Sequence, residues 1–424
     1  MQENIFKTFG CRLNIFETEV IKNFIAENNL NNVTVLNTCA VTSEAEKKAK
    51  REVQKLRRQH ENTFIIVTGC AAQLNPSFFN NMKEVDLVLG NHEKLVGSYW
   101  NKISKITSNR TSFNNTNLSS DIMKSRKLPF KNINPSKTKT RAFIGIQNGC
   151  DHRCTFCIIP FARGNSRSLT MFQIKKQSEN LVINGVREVI LTGVDLTSWG
   201  LDLPNEPRLG DLIELILETI PELPRLRISS IDSIEVDQKL FRLLSTEERL
   251  MPHLHLSIQS GDNMILKRMK RRHTREDTIY FCNQLKRKRN EITFSADIIA
   301  GFPTETSKMF NNTVSIIEEC QIDWLHVFPF SARPGTPAAK IPQTPKSIIE
   351  ERTNHLREIS HKKLNQHLKL KIGSIQSVLV EANAKGFTKD FNKVTFENGP
   401  KIGEIIEMKI EGQMNNHLLG SPIT

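Results

Sequence analysis

Three cysteines lie within eight residues in the run Cys150-Asp151-His152-Arg153-Cys154-Thr155-Phe156-Cys157. Any fold that accepts this run must hold the loop so that three thiolates face one point. Such a set can ligate three irons of a four-iron cluster and leave the fourth without a protein ligand. An open metal position serves chemistry on a bound substrate, whereas a fully ligated one serves structure or electron transfer. A structural zinc knot or a redox pair is the alternative. Zinc wants a fourth Cys or His at ligand spacing. His152 sits between two of the cysteines, but a loop bent around a metal is expected to turn that ring outward.

Three more cysteines follow a second pattern. Residues 1–100 alternate short apolar runs with helical stretches, the strands being expected at Ile5 to Thr8, Val33 to Leu36, Phe64 to Thr68 and Val85 to Leu89. The second helix is expected to open on the capping-box run Ser43-Glu44-Ala45-Glu46. This alternation predicts a small parallel α/β sheet. Cys11, Cys39 and Cys70 each follow one of the first three strands. Strand ends share one edge of a parallel sheet, the edge where open α/β sheets bind ligands. The three thiols are therefore expected to converge on a second iron-sulfur cluster, again with one free iron. Three unrelated buried thiols are the bland alternative. Cys282 and Cys320 fall inside expected helices and are assigned to packing.

At 424 residues the chain has room for about three domains. No apolar run approaches ~18 residues, so no membrane span is expected, and the first residues lack the layout of a signal peptide. A cytoplasmic protein follows as the expectation. Eight cysteines are too few for a disulfide scaffold in a chain this long. The net charge of +14 points to a polyanionic partner. Basic residues concentrate in two stretches: Lys47, Lys48, Lys50, Arg51, Lys55, Arg57 and Arg58, then Lys267 to Arg275 with Lys286 to Arg289.

Residues 101–139 are rich in Asn, Ser, Thr and Lys, carry Pro129 and Pro135, and read as a polar linker. Over 140–370 six β/α units are expected, with strands at Ala142 to Gln147, Glu188 to Thr192, Arg225 to Ser229, His253 to Ile258, Ile292 to Ala300 and Trp324 to Phe330. Six units fit a closed or partial (β/α) barrel, whose chemistry sits at the carboxyl ends of the strands. The cysteine loop, Gly193-Val194-Asp195, Ser229 to Asp232, Gln259-Ser260-Gly261 and Gly301-Phe302-Pro303 all fall at such ends. The tail, 371–424, reads as short strands separated by Gly and Asn turns, a small all-β barrel of the kind that binds RNA.

Together these features resemble the methylthiotransferases, a family of radical S-adenosylmethionine (SAM) enzymes. The resemblance runs through Phe9-Gly10-Cys11 with Asn14, Asn37 to Thr42, Thr68 to Gln73, Gly149 to Gly164 and Leu325 to Ser331, so it spans essentially the whole chain. The runs Asn37 to Thr42, Ile158 to Gly164 and Phe328 to Pro337 look like the branch that acts on threonylcarbamoyladenosine 37 (t6A37) in tRNA. The isopentenyladenosine branch usually has arginine at the Thr42 position and threonine at the Ala162 position. A third branch modifies an aspartate of a ribosomal protein, for which a strongly basic chain is ill suited. One departure stands at Arg167-Ser168-Leu169, where the family commonly continues with arginine in place of Leu169.

The resemblance implies two [4Fe–4S] clusters, one on Cys150, Cys154 and Cys157 that cleaves SAM to a 5′-deoxyadenosyl radical. The other, on Cys11, Cys39 and Cys70, presents sulfur, and a further SAM donates the methyl group. It implies an N-terminal cluster domain, a radical SAM partial barrel and a TRAM-like RNA-binding barrel. The implied partners are tRNA, an electron donor such as flavodoxin or ferredoxin, and a sulfur source. Gly193, Ser229, Asp232 and Gln259 are the expected SAM contacts, and Arg163 is expected to meet the carboxylate of the threonylcarbamoyl group. A non-catalytic iron-sulfur RNA-binding protein is the reading from another class.

Overall fold

A computed structural model of the chain describes residues 3–109, 116–133, 139–397 and 399–423. The first five strands are β1 (Ile5–Thr8), β2 (Val33–Thr38), β3 (Phe64–Gly69), β4 (Leu87–Leu89) and β5 (Thr116–Leu118). They form one parallel sheet in the order 1-2-3-4-5. β2 is buried along its whole length, as expected of a central strand covered on both faces. The helices between are α1 (Arg12–Glu27), α2 (Ser43–Gln59), α3 (Cys70–Leu74), α4 (Pro76–Asn80) and α5 (Gly97–Asn109). α1 buries Leu13, Glu17, Val20, Ile21 and Phe24, the three-and-four spacing of one helical face. The cap of α2 is Thr42, whose hydroxyl accepts from the Ala45 amide at 3.3 Å, one residue before the expected start of the capping box.

The 101–139 stretch is not a bare linker. α5 buries Trp100 and Ile103 under the sheet, and β5 adds its fifth strand. Thr116-Asn117-Leu118 offers a single apolar side chain, which is why composition concealed it. Further on, Ile133 is fastened by both its backbone amide and carbonyl to the Gln177 side chain. Residues 110–115 and 134–138, Pro135 among them, lie outside the described residues.

The middle of the chain supplies β6 (Arg141–Gly145), β7 (Gln147–Asn148), β8 (Arg167–Ser168), β9 (Glu188–Thr192) and β10 (Arg225–Ile228). It continues with β11 (Ser230–Ile231), β12 (His253–Gln259), β13 (Thr293–Ala300) and β14 (Trp324–Pro329). β6, β9 and β10 make one parallel sheet, and β11 to β14 make another. The chain passes between them at Ser229, whose amide donates to Leu191 at 3.0 Å. The result is a partial barrel with free edges at β6 and β14. α1 closes on the β6 edge, where a Cβ on Gly145 would sit 2.6 Å from the Phe16 ring. An ion pair from Glu46 of α2 to Arg333, just past β14, ties the other edge.

After β14 a helix of 26 residues, Lys346–Lys371, leads to the last five strands. These are β15 (Ile375–Ala382), β16 (Lys385–Thr388), β17 (Lys393–Thr395), β18 (Ile405–Met414) and β19 (His417–Pro422), closed into a barrel in the order 15-16-17-19-18. β19 was not apparent in the sequence. The loop residue Phe391 plugs the base of the larger barrel, stacked on His253 with ring centres 5.4 Å apart. Among the described residues no helix is long and apolar enough to cross a membrane.

The long helix is locked to both barrels through His367. Its ring lies 2.9 Å from Asp323 and 3.4 Å from Asp390. Burial opposes the charge, but hydrogen bonds and attraction from the two carboxylates prevail and hold the imidazole up at about 9. A raised histidine stabilises the fold fully below its ordinary value of 6.5 and loses that contribution as pH climbs through about 9. Chemical denaturation from pH 6 to 9.5 is expected to reveal a loss of up to roughly 3 kcal/mol. His367→Gln should start lower and flatten that pH dependence.

Candidate active site

Both cysteine triplets are positioned by strand ends. Cys11 caps α1 after β1, Cys39 follows β2, and Cys70 opens α3 after β3, so neighbouring parallel strands deliver three thiols to one edge. The backbone is shaped for their approach. Gly10 has φ +95°, and a Cβ there would lie 2.8 Å from the Cys39 sulfur. Cys39 feels the charge of both Cys70 and Cys11.

The second triplet rides the loop after β7. Gly149, at φ +80°, turns the chain where a Cβ would strike the Asn165 carbonyl. The Cys150 amide donates to Gly164 at 3.1 Å, the Cys157 amide to Cys154 at 3.0 Å, and the Thr155 amide to Met269 at 3.0 Å. The Arg271 guanidinium lies 3.9 Å from the Cys154 sulfur. His152 does not point outward as expected. Its Nε2 lies 3.0 Å from Asp195 and 3.2 Å from Glu235, so those carboxylates take the ring.

The two triplets meet through one short helix, α6 (Ile159–Arg163), which packs on α3. Asn91 bridges them, donating to the Ala162 carbonyl at 2.8 Å with the Cys70 sulfur 3.9 Å from the same nitrogen. Cys157 in turn feels the charge of Cys70.

Arg163 is not where a substrate could reach it. Only 2% exposed, it donates to both oxygens of Glu17 at 2.8 and 3.1 Å, to Asn148 at 2.9 Å and to Asn14. The expectation that it meets a substrate carboxylate is corrected: its fork is filled by protein. Lys94, also fully buried, takes the other side of Glu17 at 2.6 Å. Burial opposes the Glu17 charge, yet these two cations hold its carboxyl down at about 2.

The donor set fits an iron-sulfur cluster. Two buried cations share one carboxylate, leaving a positive charge that Cys70 and Cys11 adjoin. A four-iron core on three thiolates is a net anion and answers that charge. Burial pushes the Cys39 and Cys157 thiols up to about 11 and Cys150 further. As cluster ligands these thiols would be deprotonated, and the metal cation would offset the cost that burial puts on their charge.

A cavity of about 610 Å³ opens between the sheet edge and the barrel strand ends, with Cys11 and Cys39 in its wall. Gly193, Ser229 and Gln259 line it. The Ser229 hydroxyl is buried without a hydrogen-bond partner. Gln259 adopts φ +68°, a strained conformation for a residue with a side chain. Both suit a polar ligand. Asp232 lies outside the lining, where it pairs with Arg271 at 2.7 Å and stands 3.3 Å from His273. The sequence reading missed His255, Asp297 and His326, which also face the cavity. Asp297 lies 2.8 Å from His255 and 3.6 Å from His326. Apolar-polar alternation in the strands was their only signal. Leu169 is 3% exposed in the barrel core, so the arginine common at that position in the family has no counterpart in this cavity wall. Cys282 and Cys320 are free thiols buried in the barrel core, as expected of packing residues.

Comparison with known proteins agrees with this geometry. The model of the radical SAM superfamily matches residues 144–317, and that of an uncharacterized protein family, UPF0004, matches residues 3–90. The chain is 47% identical over 405 residues to a Rickettsia prowazekii protein named threonylcarbamoyladenosine tRNA methylthiotransferase MtaB, covering 96% of this chain and 94% of that one. A Bacillus subtilis protein of the same name is 33% identical, covering 96% and 93%. An Ehrlichia ruminantium protein named tRNA-2-methylthio-N(6)-dimethylallyladenosine synthase is 30% identical, covering 99% and 98%. Among solved structures, the radical SAM methyltransferase TsrM of Kitasatospora setae, with cobalamin and a [4Fe–4S] cluster bound, superimposes with a TM-score of 0.56. It covers 80% of this chain and 74% of that one at 14% identity, a likeness of fold.

Glu17→Gln removes the anion between two buried cations and should cost roughly 3–5 kcal/mol in the iron-free protein at neutral pH. A carboxyl held at about 2 stabilises the fold fully above its ordinary 4.5 and ceases to do so as pH falls through 2. The gap between wild type and variant, read by urea denaturation, should therefore narrow below about pH 4.5.

Proposed function

The chain belongs to the tRNA methylthiotransferases of the radical SAM superfamily, and from that membership we propose that it installs a methylthio group on C2 of t6A37, giving ms2t6A37. The observation that carries this reading is the pair of three-thiol sets brought together at one short helix, with a cavity opening beside Cys11 and Cys39. The threonylcarbamoyl branch is favoured over the isopentenyl one by 47% identity to a relative named for the former, against 30% for one named for the latter.

The cofactors are two [4Fe–4S] clusters and SAM. Cys150, Cys154 and Cys157 hold the first cluster, and Cys11, Cys39 and Cys70 hold the second. Bound there, these groups supply the radical chemistry and the sulfur that an unactivated C–H bond requires. The chain does the rest. Gly193 leaves room for SAM, while Ser229 and Gln259 offer it hydrogen bonds. Gln147 braces that wall, its side-chain oxygen accepting from the Val194 and Asp195 amides at 2.9 and 3.0 Å. The buried α6 joint keeps water from the space between the triplets.

tRNA is held by charge. Lys47, Lys48, Lys50, Arg51, Lys55 and Arg58 stand exposed along α2, and Lys267 and Lys270 around the turn after Asp262. Arg57, Arg275 and Arg289 of the same stretches are spent on the protein's own carbonyls and carboxylates. The C-terminal barrel adds a surface for the RNA, and the anticodon-loop base enters the cavity flipped out. Each turnover consumes electrons and sulfur that no side chain here can renew. A flavodoxin or ferredoxin and a separate sulfur source fill those roles, in the cytoplasm where the tRNA is.

Mass spectrometry of tRNA nucleosides from cells lacking the gene should show ms2t6A absent and t6A accumulating. Loss of the isopentenyl derivative would leave the chemistry and overturn the substrate; no change in either nucleoside would overturn both.

A further inference from the structure

With Arg163 sealed in the interior, the cavity needs another cation if its substrate carries a carboxylate. Arg12 is the one arginine or lysine in the lining among the described residues. Its neighbours each hold a protein partner, although one terminal nitrogen of Arg227 and one of Arg141 have no hydrogen-bond partner. Arg227 pairs with Glu188 at 3.0 Å, and Arg141 with Glu188 at 3.8 Å and with Glu381. Arg225 donates to the carbonyls of Ser377 and Phe387. The Arg12 side chain makes no hydrogen bond or ion pair with any described residue. Its guanidinium carbon rests 5.2 Å from the centre of the Phe391 ring, which leaves the edges of the fork open.

Neither nearby carboxylate bonds it. Asp297 is held by His255 and His326, and Glu188 by Arg227 and Arg141. The first turn of α1, where Arg12 stands, contains no acidic residue. The guanidinium is half-buried and faces the cavity, and its planar fork matches a carboxylate bidentately. Arg12 also follows Cys11 directly. C2 and N6 of adenine belong to one six-membered ring, so a group carried on N6 falls within a side chain's reach of the place where C2 must meet sulfur.

We propose that Arg12 forms the carboxylate subsite of this enzyme, receiving the threonine carboxylate that distinguishes t6A from other N6-substituted adenosines. This subsite rests on the t6A reading above. Phe391, from the C-terminal barrel, backs the guanidinium and holds its plane, so that the barrel contributes to base selection as well as to RNA affinity.

The test compares two forms of one tRNA, carrying either t6A37 or the same group with its carboxylate converted to a methyl amide. Reconstituted wild type, Arg12→Lys and Arg12→Gln are assayed on both, and kcat/KM for methylthiolation is read for each. The ratio between substrates is internal to each protein, so incomplete cluster loading of a variant cancels. Wild type should favour the carboxylate roughly 10- to 100-fold. Arg12→Gln should bring the ratio to about one, chiefly through KM, with Arg12→Lys between them. A carboxylate preference that survives in Arg12→Gln, or a wild type indifferent to the amide, overturns the subsite while leaving the t6A reading standing. A wild type that methylthiolates neither form overturns that reading and the subsite with it.

Discussion

The bidentate contact between Arg163 and Glu17 organises everything around it. Glu17 belongs to α1 in the N-terminal sheet, and Arg163 to α6, which directly follows the Cys150–Cys157 loop. Lys94, arriving from the turn after β4, closes the other face of the carboxylate. A charged trio buried this deeply is stable only with close geometry and further hydrogen bonds. Asn14, Asn37 and Asn148 supply those. The trio joins the sheet to the barrel and sets both cysteine triplets against one interface. Its surplus positive charge also turns the pocket beside Cys11 and Cys70 into a site for an anion.

Charge elsewhere divides into two kinds that the sequence does not separate. Exposed lysines and arginines on α2 and the lysines at 267 and 270 form a solvated cationic surface for a phosphate backbone. Arg57, Arg268, Arg271, Arg272, Arg275 and Arg289 instead satisfy carbonyls and carboxylates between elements, so net charge overstates what is available to RNA. Arg12 belongs to neither kind, and the open fork of its guanidinium is the feature that gives the cavity a preference among bases.

What was legible in the sequence was local. The strand periods and the place of each cysteine just past a strand follow from residues adjacent in the chain, and the sheet, partial barrel and small barrel appear as expected. Short polar elements were not legible: β5 has one apolar side chain, and β19 has two small residues and a proline in six. Side-chain pairing across long separations was invisible too. Arg163 beside the cysteine loop looked like a free cation because its partner, Glu17, stands 146 positions away. Asp232 at a strand end looked like a ligand contact, yet it pairs with Arg271 outside the cavity lining. Arg12 went unremarked between Cys11 and Asn14, since its significance lies in the partners it lacks.

Two three-cysteine iron sites meeting at one buried joint are what the chemistry requires of this fold. Iron-edge anomalous diffraction from crystals of the anaerobically reconstituted protein tests this directly. The expected result is two separate iron centres, one at Cys11, Cys39 and Cys70 and one at Cys150, Cys154 and Cys157, both bordering the cavity that Ser229 and Gln259 line. A single iron centre, zinc in place of iron, or a fourth protein ligand such as His152 on the loop site would contradict it.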